Sequence, residues 1–128
     1  MPPVGTTEIH EHEFVAEGLL LTDVRGSLPH RVLSTPGMIA MMEYASTTLA
    51  MSHIPPATTT VGFEVCIKHV GAATEGSHLT ARAVLREIAD ERKLRFDVEV
   101  VDGDRTIGVG THERRIVPGA PEPAASKP

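Results

Sequence analysis

The longest apolar stretch of the chain lies between Pro36 and Ser52. There Met38, Ile39, Ala40, Met41, Met42, Ala45, Leu49 and Ala50 leave no broad polar stripe, and Glu43 is the one charged side chain. A helix that is apolar nearly all round is a buried helix. Ser34-Thr35-Pro36-Gly37 reads as its start, because a hydroxyl side chain caps the first free N–H groups and proline is tolerated in the first turn. Ile54-Pro55-Pro56 ends it, since a residue before proline is pushed out of the helical region. At 1.5 Å per residue this predicts a rod of about 25 Å. From Thr58 the period changes to two and β-branched residues dominate, which predicts strands over residues 58–70, 78–89, 93–101 and 105–117. The alternation is cleanest in the third of these, where Leu94, Phe96, Val98 and Val100 interleave with Lys93, Arg95, Asp97 and Glu99. Residues 71–77 form a turn, and Asp102-Gly103-Asp104 is a hairpin signal. Ahead of the helix, residues 8–15 predict a first strand. Residues 16–34 have no period and read as a long loop with one turn of helix.

One strand, a loop, one long helix and four consecutive antiparallel strands is an α+β order, with a sheet of about five strands wrapped around the helix. This is the hot-dog arrangement. Such a sheet leaves one edge and part of the helix uncovered, so a homodimer is expected to close both. The domain is placed at residues 1–117. The Pro/Ala-rich residues 118–128 are expected to form a mobile tail.

At 128 residues and 13.7 kDa the chain has the size of one domain with one core. Twelve Lys and Arg against seventeen Asp and Glu give a net charge of −5, and one Tyr, three Phe and no Trp are available for stacking, so no nucleic-acid partner is expected. The lone Cys66 excludes an internal disulfide framework and a multi-cysteine zinc site. The start Met-Pro-Pro-Val-Gly lacks the regions of a signal peptide, and residues 35–54 are too polar for a membrane span. The cytoplasm is therefore the expected location, with no membrane association.

Glu43 is the most informative residue. A carboxylate on an otherwise apolar helix is expensive to bury unless paired or neutralised, and such groups concentrate at functional sites. The helical stripe beside it, Ile39, Ala40, Ser46, Thr47 and Ala50, is mostly small and leaves room for a ligand. The plainer alternatives are an Arg partner across a subunit interface, or a solvent-facing carboxylate. His69 shares its strand parity with Phe63, Val65 and Ile67, the face expected to pack on the helix, so it is a candidate acid/base partner of Glu43. A strand-end His bonded to a backbone carbonyl is the alternative there. Gly62 on the same strand marks a bulge or a close ligand approach. Thr35 reads first as the N-cap, at a helix end that also suits an oxyanion. It lies about 12 Å along the helix from Glu43. His10 and His12 are expected on a solvated strand face, with no metal. Cys66 has the parity opposite to His69 and reads as a small packed residue. The late cations Arg82, Arg86, Arg92, Lys93, Arg95, Arg114 and Arg115 are candidates for a phosphate-bearing ligand, most of them expected to pair with Glu87, Asp97 and Glu99.

Thr35-Pro36-Gly37-Met38 with Glu43, then Gly62 with Cys66 and His69, then Gly108-Val109-Gly110-Thr111-His112-Glu113-Arg114, resemble the fluoroacetyl-CoA thioesterase-like family of hot-dog proteins over roughly residues 4–117. The resemblance implies hydrolysis of an acyl-CoA thioester in a dimer with sites near the subunit interface, and no cofactor, CoA being part of the substrate. By position it implies Thr35, Glu43 and His69 as the catalytic trio, Gly62 beside the thioester, and Arg114 holding the site or the CoA arm. The fluoroacetyl-specific member carries phenylalanines in the loop before the helix, whereas residues 27–34 here contain none. A different small or medium acyl group is therefore expected. The competing readings are a non-catalytic binder of acyl-CoA or another apolar ligand, and a hydratase or dehydratase acting on an enoyl thioester.

Overall fold

A computed structural model describes residues 8–120. Strand β1 (Ile9–Val15) leads into a 3-10 turn at Gly18–Leu20, and then into a small ribbon of β2 (Leu21–Thr22) and β3 (Val32–Leu33). The ribbon, which the aperiodic loop sequence does not announce, ties the two ends of that loop together. Helix α1 (Thr35–Met51) follows, then β4 (Thr58–His69), β5 (His78–Ala89), β6 (Lys93–Asp102) and β7 (Arg105–Pro118). The five long strands form one antiparallel sheet in the order β1-β5-β6-β7-β4, with β1 and β4 at its edges. Together they make the hot-dog fold.

The helix starts as the sequence suggests, with one exchange of roles. The N-cap is Ser34, whose Oγ accepts from the Gly37 N–H at 2.9 Å, so Thr35 is not the cap. It already lies inside the helix, where its hydroxyl is released for another partner. One face of α1, Met38, Met41, Met42, Ala45 and Leu49, is buried against Leu79, Ala81, Ala83 and Leu85 of β5 and the alternate residues Leu94, Phe96, Val98 and Val100 of β6. The β5 alanines let the helix approach closely, and each buried Met or Leu contributes about 1.5–3 kcal/mol. Ser46, expected beside Glu43, is turned inward and donates to the Met42 carbonyl at 2.9 Å.

Three expectations about the strands need correction. Cys66, read as a small packed residue, is exposed on β4. His10 and His12 share the helix-facing side of β1 with Phe14. The His12 ring centre lies 4.5 Å from that of Tyr44 and 4.8 Å from that of Phe14, so this face is packed rather than solvated. In β4 the register with β7 slips between Gly62 and Glu64. A bulge of this kind inserts one residue and reverses the parity beyond it. Val65, Ile67 and His69 keep the side opposite His112, Gly110 and Gly108, but Phe63 is thrown outward, 59% exposed, with the Arg115 guanidinium 3.5 Å over its ring. Phe63 therefore does not pack on α1. At the end of the sheet, Gly119 N–H donates to the Ala57 carbonyl at 2.9 Å. Residues 121–128 of the expected tail lie outside the described residues.

Candidate functional site

Glu43 projects from the middle of α1 toward β4 and β7. Its Oε2 lies 3.7 Å from Arg114 Nη1 and 3.9 Å from His112 Nε2, while its side chain stays 42% exposed. A Cβ at residue 62 would stand 2.9 Å from the same oxygen, so the glycine is what allows the carboxylate to reach the strand backbone. Arg114 is almost fully buried and its guanidinium is fixed on three sides. Nε donates to Thr60 Oγ1 at 2.8 Å, Nη2 to the Thr60 carbonyl at 3.0 Å, and Nη1 to His112 Nε2 at 3.2 Å. Burial works against the charge of Arg114, and the Glu43 carboxylate opposes that effect.

His112 occupies the other end of this chain of contacts. Its Nδ1 lies 2.8 Å from the Glu64 carbonyl, and since a carbonyl only accepts, Nδ1 carries the proton. Nε2 is then free to accept from Arg114. Burial pushes the imidazole below its ordinary pKa of 6.5, with the Arg114 charge adding to the effect. The bulge in β4 turns the Glu64 carbonyl toward His112. His112 stands in the sequence two residues before Arg114, within the same motif, yet spacing alone gives it no role.

The other candidates meet at the helix start. Thr35 Oγ1 and His69 Nδ1 are 2.9 Å apart, one on the first turn of α1 and the other at the end of β4. The eight helical steps from Thr35 to Glu43 correspond to about 12 Å of helix. Within one chain the site is thus two clusters, Thr35 with His69 and Glu43 with Gly62, Arg114 and His112. The expected facing pair of Glu43 and His69 is not formed; the intrachain partners of Glu43 are Arg114 and His112. A shallow, open depression of about 480 Å³ lies beside Glu43, lined by Ala40, Tyr44 and Thr47 of α1, Thr60, Val61 and Gly62 of β4, and Arg114.

The surface cations pair much as their spacing suggests: Arg82 with Glu99 at 3.3 Å, Arg86 with Asp97 at 3.3 Å, and Arg95 with Glu87 at 2.7 Å. Among the described residues no three His, Cys, Asp or Glu side chains converge as a metal site, and no helix is long and apolar enough to cross a membrane.

The family model of FlK, fluoroacetyl-CoA-specific thioesterase, matches residues 15–120. The chain belongs to this family. A fluoroacetyl-CoA thioesterase of Streptantibioticus cattleyicolor is 33% identical over 86 residues, which span 67% of this chain and 61% of that relative. A solved structure of the fluoroacetyl-CoA thioesterase FlK superposes with a TM-score of 0.77 at 27% identity, covering 91% of this chain and 90% of the other. A variant of FlK in complex with fluoroacetate and CoA gives 0.76 at 28% identity, over 86% and 92% of the two chains. A thioesterase superfamily member from Thermus thermophilus, 23% identical over 92% of this chain and 87% of its own, shares the fold with a TM-score of 0.77.

Proposed function

We propose that this protein hydrolyses an acyl-CoA thioester with a small or medium acyl group, using Glu43, Thr35 and His69 at the reacting carbonyl, Gly62 beside the thioester and Arg114 to hold the carboxylate. The observation that carries this reading is the placement of Glu43. It is a half-exposed carboxylate lining an open depression, with one oxygen paired to a buried guanidinium. A group so held and still open to a ligand suits attack on a carbonyl or activation of water. Either route has the same balance: water and the thioester are consumed, the C–S bond breaks, the acyl carbon gains the hydroxyl, and the sulfur takes the proton as free CoA thiol. Thr35, at the N-terminal end of α1, supplies a hydroxyl where a developing oxyanion is favoured, and His69 bonded to it moves the proton.

This reading includes a homodimer, because one chain leaves its two clusters apart. Strand β4 is an edge strand of twelve residues with Val61, Phe63 and Val65 exposed, a surface suited to strand pairing. An antiparallel pairing of two β4 strands about a two-fold axis at Cys66 matches faces throughout. Inward-facing Val65 meets the partner subunit's Ile67, outward-facing Glu64 meets the partner subunit's Lys68, and, with Phe63 as the extra bulge residue, Gly62 meets the partner subunit's His69. The charges at Glu64 and Lys68 are complementary. The same register carries the Thr35 and His69 pair of each protomer to the Glu43 cluster of the other, which completes two equivalent sites.

The test is thiol release from acetyl-, fluoroacetyl-, medium-chain and aryl-acetyl-CoA by the wild type, Glu43→Gln and His69→Ala. Turnover of at least one ester that both variants lose is the expected result. Wild-type rates in Glu43→Gln would overturn the assignment of the carboxylate. Binding of CoA esters without turnover of any would favour a non-catalytic binding protein, and release of water from or addition of water to an enoyl ester would favour hydratase chemistry.

A further inference from the structure

We infer that His112 is a positioning residue for the Glu43 carboxylate, acting through Arg114 as a neutral imidazole whose Nε2 accepts from the guanidinium. The inference rests on the reading of Glu43 as the reacting carboxylate, but its geometry stands independently. The His112 side chain is 1% exposed, and both ring nitrogens are engaged by groups that dictate their roles. The Glu64 carbonyl, beside the bulge, accepts from the Nδ1–H at 2.8 Å. Arg114 Nη1 donates to Nε2 at 3.2 Å, and the same Nη1 stands 3.7 Å from Glu43 Oε2. Nη1 is therefore held between the imidazole and the carboxylate, while the other two guanidinium nitrogens are fixed on Thr60.

The alternative states of the imidazole do not fit this arrangement. With the proton on Nε2, or on both nitrogens, an N–H would face the Arg114 N–H at 3.2 Å, and Nη1 would lose its acceptor. The guanidinium would then have only Glu43 on that side and would draw the carboxylate away from the depression. As built, His112 takes up one donor of Arg114 and leaves the carboxylate held at a longer distance, half-exposed toward the substrate. A chain of this kind, from a backbone carbonyl in a strand bulge to a helix carboxylate, fixes position to the fractions of an ångström that catalysis needs.

Two near-isosteric variants separate this role from mere packing. His112→Gln sets an amide oxygen where Nε2 stands and keeps an acceptor for Arg114. His112→Asn sets an amide N–H where Nδ1 stands and keeps the bond to Glu64 but offers Arg114 nothing. The expected result is a kcat within about 5-fold of wild type for His112→Gln and about 10- to 100-fold lower for His112→Asn, with KM changed little in either and thermal unfolding recorded alongside. Nitrogen NMR of the wild-type imidazole is expected to show the neutral form protonated at Nδ1 near pH 7, a readout that needs no substrate. Equal kcat in the two variants, whether both active or both inactive, or an imidazole protonated at Nε2, overturns the inference. Activity retained by Glu43→Gln would instead overturn the function proposed for the carboxylate and leave the tautomer result standing.

Discussion

A methyl group added at Gly62 would meet Glu43 Oε2 at 2.9 Å, and the atom it meets is the far end of a flexible side chain rather than backbone. Gly62→Ala is therefore expected to leave the fold nearly as stable as wild type while displacing the carboxylate. Turnover should fall about 10- to 100-fold with the thermal midpoint almost unmoved, and a large drop in midpoint would show that the glycine serves the backbone instead. His112 gives a second prediction at this scale. Its pKa lies below 6.5 in the folded protein because burial disfavours the charged form. Below that value the unfolded chain binds a proton that the native state does not, so stability is complete above it and falls as the pH drops through it. Urea unfolding between pH 7 and 5 should show this slope, reduced in His112→Gln. Glu113 is separable from it: bonds from Arg115 and Arg95 hold its carboxyl below 4.5, so its contribution is lost only in stronger acid. At this scale the sequence makes Glu43 and His69 conspicuous, because each breaks an apolar pattern. It hides His112, because its burial depends on what lies across β7, and that is a tertiary fact.

Among the elements, α1 and β4 set the site. The boundaries of α1 are legible to within a residue, since the cap, the early proline and the following Pro55-Pro56 are local signals. Ser34→Ala should cost about 1 kcal/mol by removing the acceptor for the Gly37 N–H, a loss of about 3–6 °C in the thermal midpoint. Because Thr35 follows the cap directly, its bond to His69 should loosen as well, so turnover should fall more than the stability loss alone accounts for; unchanged turnover in the folded variant would separate the cap from the site. In β4 the period of two holds on either side of the bulge and fails at it. Parity predicts Phe63 inward, but it is outward, with the Arg115 guanidinium over its ring; Arg115 in turn begins a ladder through Glu113 and Arg95 to Glu87. Gly62 signals that a bulge is possible, but only pairing with β7 decides where the extra residue goes.

For the whole molecule, the separation of the two clusters is the central fact, and the proposed dimer makes it testable. If each site takes Glu43 from one protomer and Thr35 and His69 from the other, mixed dimers of Glu43→Gln with His69→Ala carry one intact and one doubly defective site. Co-refolding the two inactive variants should restore activity, whereas sites contained in single chains would give none. The proposed register would set Cys66 opposite the partner subunit's Cys66. Directly paired Cα atoms in an antiparallel sheet lie about 4.5–5.5 Å apart, within the range a disulfide spans. Mild oxidation should give a cross-linked dimer that Cys66→Ser abolishes, and a protein that stays monomeric at assay concentration would sink the shared site.

Resemblance to the family is what singles out Thr35 and Arg114 as site residues. Local pattern alone sets the succession of the long elements, the ends of the helix, the antiparallel pattern of the late strands and the prominence of Glu43, Gly62 and His69. These follow from signals read within a few residues: periodicity, caps, prolines and a charge out of place. Tertiary packing decided that Phe63 turns outward and that His12 packs on Tyr44. It also decided that Glu43 meets Arg114 and His112 rather than His69 within the chain. The cap, Ser34 rather than Thr35, is a local choice between adjacent hydroxyls; the other outcomes depend on register and packing between elements distant in sequence, and a shift of one residue between strands exchanges the two faces of a strand without changing any local pattern.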